Sequence, residues 1–329
     1  MSGMLSEAAR HDVPEPDFDA VREAAARIAP YVRRTPVLHD ELLDEELGAE
    51  VFFKCENLQR GGAFKFRGAT NAVQSLAATV TGVATHSSGN HGTALAIAAQ
   101  RCGIPAAIVM PRNTAAVKIA AVRRAGAEVI LCEPGLIGRE SALAQLLRER
   151  RLEVIHPYDD ERVIAGQGTA ALEFLDQQSG LELLMTPVSG GGLISGTAIA
   201  AKGVNAAIRV IGVEPELADD ACRSFRSGER VVLDAPQTIA DGLRASLGVR
   251  NFAIIRRLVD DMASVSEDAI MAAARLVLER LKILIEPSAA VPVAALLERK
   301  VEPRGARVGI ILSGGNLDLD GARWLTGVP

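Results

Sequence analysis

The chain has 329 residues, room for two domains, and its 48% apolar and 23% charged residues are those of an ordinary soluble globular protein. Its net charge of −5, with no basic block, argues against a nucleic-acid surface and against a polybasic membrane patch. No apolar stretch reaches the ~18 residues of a transmembrane helix, so no membrane association is expected.

In chain order, "MSGMLSEAARHDVPEPDF" lacks a basic segment followed by an apolar one, and no signal peptide is expected. "GVATH" (82–86) predicts a strand, and Asn90 to Arg101 an Ala-rich helix. Strands follow at 106–110 and 128–132, helices at 115–125 and 139–151, and the strand "EVIHP" (153–157) closes the series. Short strands separated by helices imply right-handed crossovers and a parallel sheet, here a compact unit over 78–157. A second series holds helices around 166–178, 193–202, 266–280 and 288–298, with strands at 183–189, 209–214 and 308–313. The predicted fold class is α/β, with two open parallel-sheet domains. The small one spans 78–157; the large one spans 158–329 and is joined by 1–77. Such sheets bind ligands beyond the carboxyl ends of their strands, which makes the cleft between the two the expected site.

Cys55, Cys102, Cys132 and Cys222 form no CxxC pair, and the five histidines form no HExxH zinc pattern. Free thiols fit a reducing cytoplasm.

Three glycine-rich segments end predicted strands: "SSGNHG" (87–92), "SGGGLISG" (189–196) and "SGGN" (313–316). Glycine lets the backbone turn tightly and approach a ligand, and the helix that follows offers unpaired N–H groups to a phosphate or carboxylate. Any one of them alone is as well explained as a simple turn. "GGGLIS" (190–195) misses the dinucleotide fingerprint at Ser195, yet Glu214 ends the next strand where a ribose-binding acid would stand. A nicotinamide-dependent dehydrogenase therefore stays open on spacing, while the P-loop pattern is absent.

"GGAFKFRGA" (61–69) sets Lys65 between two of the chain's eight phenylalanines. A half-buried lysine has its pKa lowered by desolvation, which makes the amine a nucleophile and base near neutral pH. The alternative is a lysine that lays its stem over apolar surface. A nucleophilic lysine plus a phosphate cradle at a strand end is what pyridoxal phosphate needs.

"ENLQRGGAFKFRGA" (56–69), "THSSGNHGTALA" (85–96), "IAGQGT" (164–169), "SGGGLISG" (189–196), "TIADGL" (238–243), "IEPSAA" (285–290) and "LSGGNLDL" (312–319) occur in this order. With them the chain resembles, over nearly its whole length, the serine/threonine dehydratases and serine racemase. These are fold type II pyridoxal phosphate enzymes, like the tryptophan synthase β chain. The resemblance implies that Lys65 is the Schiff-base lysine, with Phe64 beside the ring. Asn90 would bond the cofactor's phenolic oxygen, and Gly190, Gly191, Gly192 and Leu193 would wrap the phosphate. Ser313 would face the pyridine nitrogen; a neutral hydroxyl there favours elimination over transamination. Ser87, Ser88, Asn90 and His91 would grip the substrate carboxylate. Lys65 would remove the Cα proton, hydroxide would leave from Cβ, and a 2-oxo acid and ammonia would result.

Ser88 matches a serine that acts opposite the lysine in serine racemase, which would add racemisation; its alternative is a helix cap. Arg139 aligns with an arginine that contacts dicarboxylate ligands, which would admit 3-hydroxyaspartate; its alternative is a surface arginine. "GVEPELADD" (212–220) resembles a metal loop, with Glu214, Asp220 and the Ala218 carbonyl as ligands. All-oxygen ligands suit Mg²⁺, Mn²⁺ or Ca²⁺, and the alternative is a solvated acidic loop. The sequence ends soon after "LSGGNLDL", so the regulatory domain of biosynthetic threonine dehydratases is not expected. The family is commonly a homodimer.

Overall fold

The computed structural model describes residues 15–87, 89–303, 305–319 and 322. Its elements are α1 (Phe18–Ile28), β1 (Val37–His39), α2 (Glu41–Leu47), β2 (Glu50–Cys55), α3 (Lys65–Gln74), β3 (Val83–His86), α4 (Asn90–Arg101) and β4 (Ala106–Pro111). Next come α5 (Ala116–Arg124), β5 (Glu128–Cys132), α6 (Leu136–Glu149), β6 (Glu153–Val154), α7 (Glu161–Gln177), β7 (Leu183–Pro187) and α8 (Gly192–Val204). The last are β8 (Arg209–Pro215), α9 (Asp220–Ser227), α10 (Val249–Leu258), β9 (Asp261–Val265), α11 (Glu267–Leu281), α12 (Pro287–Leu297) and β10 (Arg307–Leu312).

Two sheets form, in strand order β5-β4-β3-β6 and β1-β2-β10-β7-β8-β9. The first is parallel throughout. The second is parallel except for β1, which pairs antiparallel with β2 at the edge. The expectation of two α/β sheets holds, with that one edge strand as a correction. An antiparallel edge on an otherwise parallel sheet is common, because a short edge strand can return without a crossover.

The strands of the larger sheet are apolar on both faces, as burial between two helix layers demands. Val51, Phe53, Leu183, Met185, Ile310 and Leu312 share a core with α11 and α12, whereas Phe52, Leu184, Val210 and Ile311 pack with α7 and α8. In the smaller sheet Val83, Ile108 and Met110 pack with α4, and Ala84 and Val109 pack with Leu143 and Leu146 of α6. Helix α3 joins the two: Phe66, Ala69, Ala72 and Val73 enter the core beneath the smaller sheet, while Gly68 lies against α7, where a Cβ would come 2.7 Å from the Val163 carbonyl.

Three boundaries differ from expectation by three residues or more. Helix α6 starts at Leu136, ahead of Arg139, after Gly135 at φ 91°. Helix α7 starts at Glu161 because Asp160 caps it, its side chain accepting from Arg162 and Val163 N–H. The strand expected over 153–157 stops at Val154; beyond it His156 Nδ1 accepts from Asp159 N–H at 2.9 Å and turns the chain toward α7.

Candidate active site

Lys65 is the first residue of α3, and the chain before it is fastened to the end of β10. Phe64 N–H donates to the Ser313 carbonyl at 3.0 Å, and Ala63 pairs with Gly314. This puts the lysine at the carboxyl end of a central strand. Its Nζ donates to the Pro157 carbonyl at 2.8 Å and lies 5.1 Å from the Phe64 ring centroid. The two flanking phenylalanines have different duties. Phe64 borders the amine, and Phe66, fully buried, anchors the helix below. Desolvation lowers the Lys65 pKa to about 8, opposed by the carboxylate of Glu286.

Asn90 opens α4. Its Nδ2 donates to both Glu286 oxygens, at 2.9 and 3.1 Å, and its Oδ1 accepts from Asn316 Nδ2 at 2.9 Å. Three of the quoted motifs therefore meet at one amide. Glu286 had no role assigned from sequence. The available signal was an acid set between Ile285 and a Pro at a helix start, which is an unusual place to bury a charge. Burial raises its pKa to about 7, with the Asn90 hydrogen bond opposing.

That shift has a consequence for stability. The folded protein holds a proton that an unfolded glutamate releases near pH ~4.3, so this group's contribution is complete below that pH and is lost as pH rises through about 7. In cofactor-free protein, Glu286→Gln is expected to melt progressively above wild type between about pH 5 and about pH 8. A melting difference that does not change with pH would contradict this.

The glycine-rich turn after β7 is shaped by its neighbours. A Cβ on Gly190 would lie 2.3 Å from the Tyr158 ring, and Gly191 has φ 92°, so both positions require glycine. Helix α8 begins at Gly192, so its first N–H groups lack partners within the helix. The Leu193 side chain packs in the core. Pro157 holds Lys65 and the next residue, Tyr158, covers Gly190; lysine and glycine turn are thus neighbours. Ser313 is buried at the end of β10.

Across the cleft, Ser87 is buried and its Oγ accepts from Gly89 N–H at 3.3 Å. Ser88 lies outside the described residues. His91 Nε2 contacts the Ile155 carbonyl at 3.2 Å, and burial holds its pKa well below the usual value. Arg139, half-buried in the first turn of α6, lies close enough to Tyr158 and His86 to act on both their pKa values. The His86 ring meets His156 edge-on at 6.0 Å, and His156 meets Tyr158 at 4.6 Å. Burial pushes both histidines down to about 4, so they are neutral at pH 7.

Glu214 and Asp220 are buried, as is Ala218. Glu214 Oε2 accepts from Cys222 N–H at 2.8 Å, while Oε1 has no partner among the described residues. Burial, then the nearby Asp220, raises Glu214 well above the ordinary range; burial raises Asp220 to about 6. Glu214 thus faces the start of α9, which removes the ribose-acid reading. Among the described residues no group of three or more His, Cys, Asp or Glu gathers as a metal site, at this loop or elsewhere.

Residues 28–314 match the family described as "Pyridoxal-phosphate dependent enzyme". The chain belongs to that family. A serine racemase of Arabidopsis thaliana is 47% identical over 315 residues, 94% of this chain and 95% of that protein. The beta-hydroxyaspartate dehydratase of Paracoccus denitrificans is 45% identical, with 94% and 99% covered. Among solved structures, maize serine racemase superposes with a TM-score of 0.92 at 44% identity, covering 95% of this chain and 97% of that one. The threonine deaminase of T.th. gives 0.88 at 42%, covering 92% and 99%. For this pyridoxal-phosphate dependent enzyme the fold type II architecture expected from the motifs is the one observed, and the dehydrogenase alternative falls.

Proposed function

We propose that the enzyme is an ammonia-lyase that eliminates water from L-serine- or L-threonine-type hydroxy amino acids, giving a 2-oxo acid and ammonia. The observation that carries this is the contact of consecutive residues Pro157 and Tyr158 with the Lys65 amine and with Gly190. A desolvated amine and a glycine-rich turn at a helix start thereby lie side by side. The residues present fit pyridoxal phosphate: side chains at Gly190 and Gly191 would fill the cradle or its wall, and the lysine pKa is already low. Bound there, the cofactor supplies an electron sink for the pair left at Cα.

The chain's own residues do the rest. Phosphate is held by N–H groups of Gly190, Gly191, Gly192 and Leu193 at the α8 terminus, where the helix dipole favours an anion. Asn90, whose Nδ2 is held by Glu286, would hydrogen-bond the ring's phenolic oxygen, and Phe64 would pack beside the ring. The Ser313 hydroxyl, buried at the end of β10, would face the ring nitrogen as a neutral partner. Ser87, Ser88, Asn90 and His91 receive the substrate carboxylate at the start of α4. Lys65 takes the Cα proton; a base with pKa about 8 is well matched to neutral pH. By its match to the serine of serine racemase, Ser88 would make racemisation the second activity.

Arg139, half-buried in the first turn of α6 with its Nε on the Gly135 carbonyl, would admit 3-hydroxyaspartate if it turned to bind the second carboxylate. Lys118 of α5 pairs across the cleft with Asp241, next to Glu286. Among the described residues no helix is long and apolar enough to cross a membrane; we place the enzyme in the cytoplasm as a homodimer. The deciding assay incubates it with L-serine, L-threonine and L-threo-3-hydroxyaspartate while oxo acid, ammonia and D-serine are followed together. Absence of oxo acid from all three would refute the lyase reading.

The oxygen set of Glu214, Asp220 and the Ala218 carbonyl fits Mg²⁺, Mn²⁺ or Ca²⁺, and the unpartnered Glu214 Oε1 is what a cation would satisfy. The ion would order the loop after β8. Mg²⁺ at a hundredfold excess over its Kd is expected to stabilise the protein by about 2.7 kcal/mol in a thermal melt, and Asp220→Asn to remove the effect. Equal stabilisation of both proteins would contradict the assignment.

A further inference from the structure

Asn251, the third residue of α10, is fully buried behind the glycine turn. Its Nδ2 donates to the Gly190 carbonyl at 2.8 Å and to the Tyr158 carbonyl at 2.9 Å. The Gly190 carbonyl also accepts from Gly248 N–H at 3.0 Å. Behind Gly191 the packing is close: a Cβ there would lie 2.7 Å from Asn251 Cβ. The start of α10 is itself clamped, because Asp159 accepts from Val249 N–H at 3.1 Å and from Arg250 N–H at 3.2 Å.

A trans peptide is planar, with its C=O and N–H pointing opposite ways. Two donors on the α10 side hold the Gly190 carbonyl there. The N–H of the same peptide, that of Gly191, must then point to the other side of the turn, away from α10. The second Asn251 bond fixes Tyr158, whose ring covers Gly190 and whose preceding carbonyl holds Lys65. Asn251 Oδ1 has no partner among the described residues. The amide is therefore kept for its two donor hydrogens, at the cost of a buried acceptor.

We propose that Asn251 is a positioning residue of the phosphate cradle. It never touches the ligand; it turns the Gly191 peptide so that its N–H faces the phosphate, and it keeps cradle and lysine in register. The inference rests on the cradle assignment given under Proposed function.

The test compares binding of pyridoxal phosphate with binding of pyridoxal, which keeps the aldehyde and lacks the phosphate. Visible absorbance of the lysine-bound aldehyde reports both. Wild type should prefer the phosphate form. Asn251→Leu, of similar size without donors, is expected to lose about thirtyfold in pyridoxal phosphate affinity, ~2 kcal/mol, with pyridoxal affinity unchanged. Asn251→Ser keeps one donor and should lose less of the preference; it is the variant to read if the leucine protein does not fold. A preference equal to wild type in the variant that folds overturns the proposal. So does an equal loss for both aldehydes, the mark of a merely structural role. A wild type that binds both aldehydes equally would instead remove the cradle reading, and this inference with it.

Discussion

Lys65→Ala is expected to lower turnover of every substrate by about 10⁴-fold or more, because it removes both the nucleophile and the base. No other lysine can stand in on the geometry observed. Lys54 is buried in a separate network, on Glu173 and the Thr35 carbonyl. Lys118 is paired with Asp241. The variant should fold, since the Lys65 side chain makes one polar contact, to Pro157, and the helix below it is anchored by Phe66. Steady-state rates of oxo acid release, with a thermal melt as control, check this. A residual rate within tenfold of wild type in a folded variant would remove Lys65 from the chemistry.

The second large effect concerns stability. Arg67 is among the largest fully buried side chains, two residues beyond the lysine. It makes a two-pronged contact with Glu56, at 2.8 and 2.7 Å, and a second with Glu173, at 3.1 and 3.0 Å. Lys54 completes the group on Glu173, and Thr35 Oγ1 donates to Glu56 at 2.6 Å. Two positive and two negative groups balance there, all buried but for the partly exposed Glu173. Arg67→Met would leave Glu56 buried without a cation, and the expected cost is about 3–5 kcal/mol. Burial alone would raise the Glu173 pKa, yet Arg67 first and then Lys54 bring it below the ordinary value. Its stabilising contribution is therefore present above the unfolded pKa of ~4.3 and is lost as pH falls through the lower folded value. The deficit of Arg67→Met should accordingly be largest near neutral pH and shrink under acid. Urea denaturation at several pH values measures both. A cost below ~1 kcal/mol at neutral pH would show that the network carries little stability.

Much of this site was legible because its signals are local. Glycine runs after short apolar strands, and helices that follow them, depend on neighbours a few residues away. The three turns accordingly lie where they were expected, at the ends of β3, β7 and β10. Less was legible in the N-terminal segment. "EVFFKCE" forms β2 and the turn after it, but Lys54 and Glu56 are buried charges, and they break the apolar pattern by which a central strand is recognised. Glu286 and Asn251 act through partners far away in sequence, Asn90 and Gly190, and no spacing rule reaches that far. The end of the strand at Val154 depended on a histidine accepting a backbone N–H, which is a tertiary detail.

The Lys65 amine is expected to carry the cofactor aldehyde. Purified enzyme loaded with pyridoxal phosphate, reduced with borohydride and digested, should yield one pyridoxyl-labelled peptide, the one containing Lys65. A label on any other lysine, or no label in an enzyme that still forms oxo acid, would contradict the account.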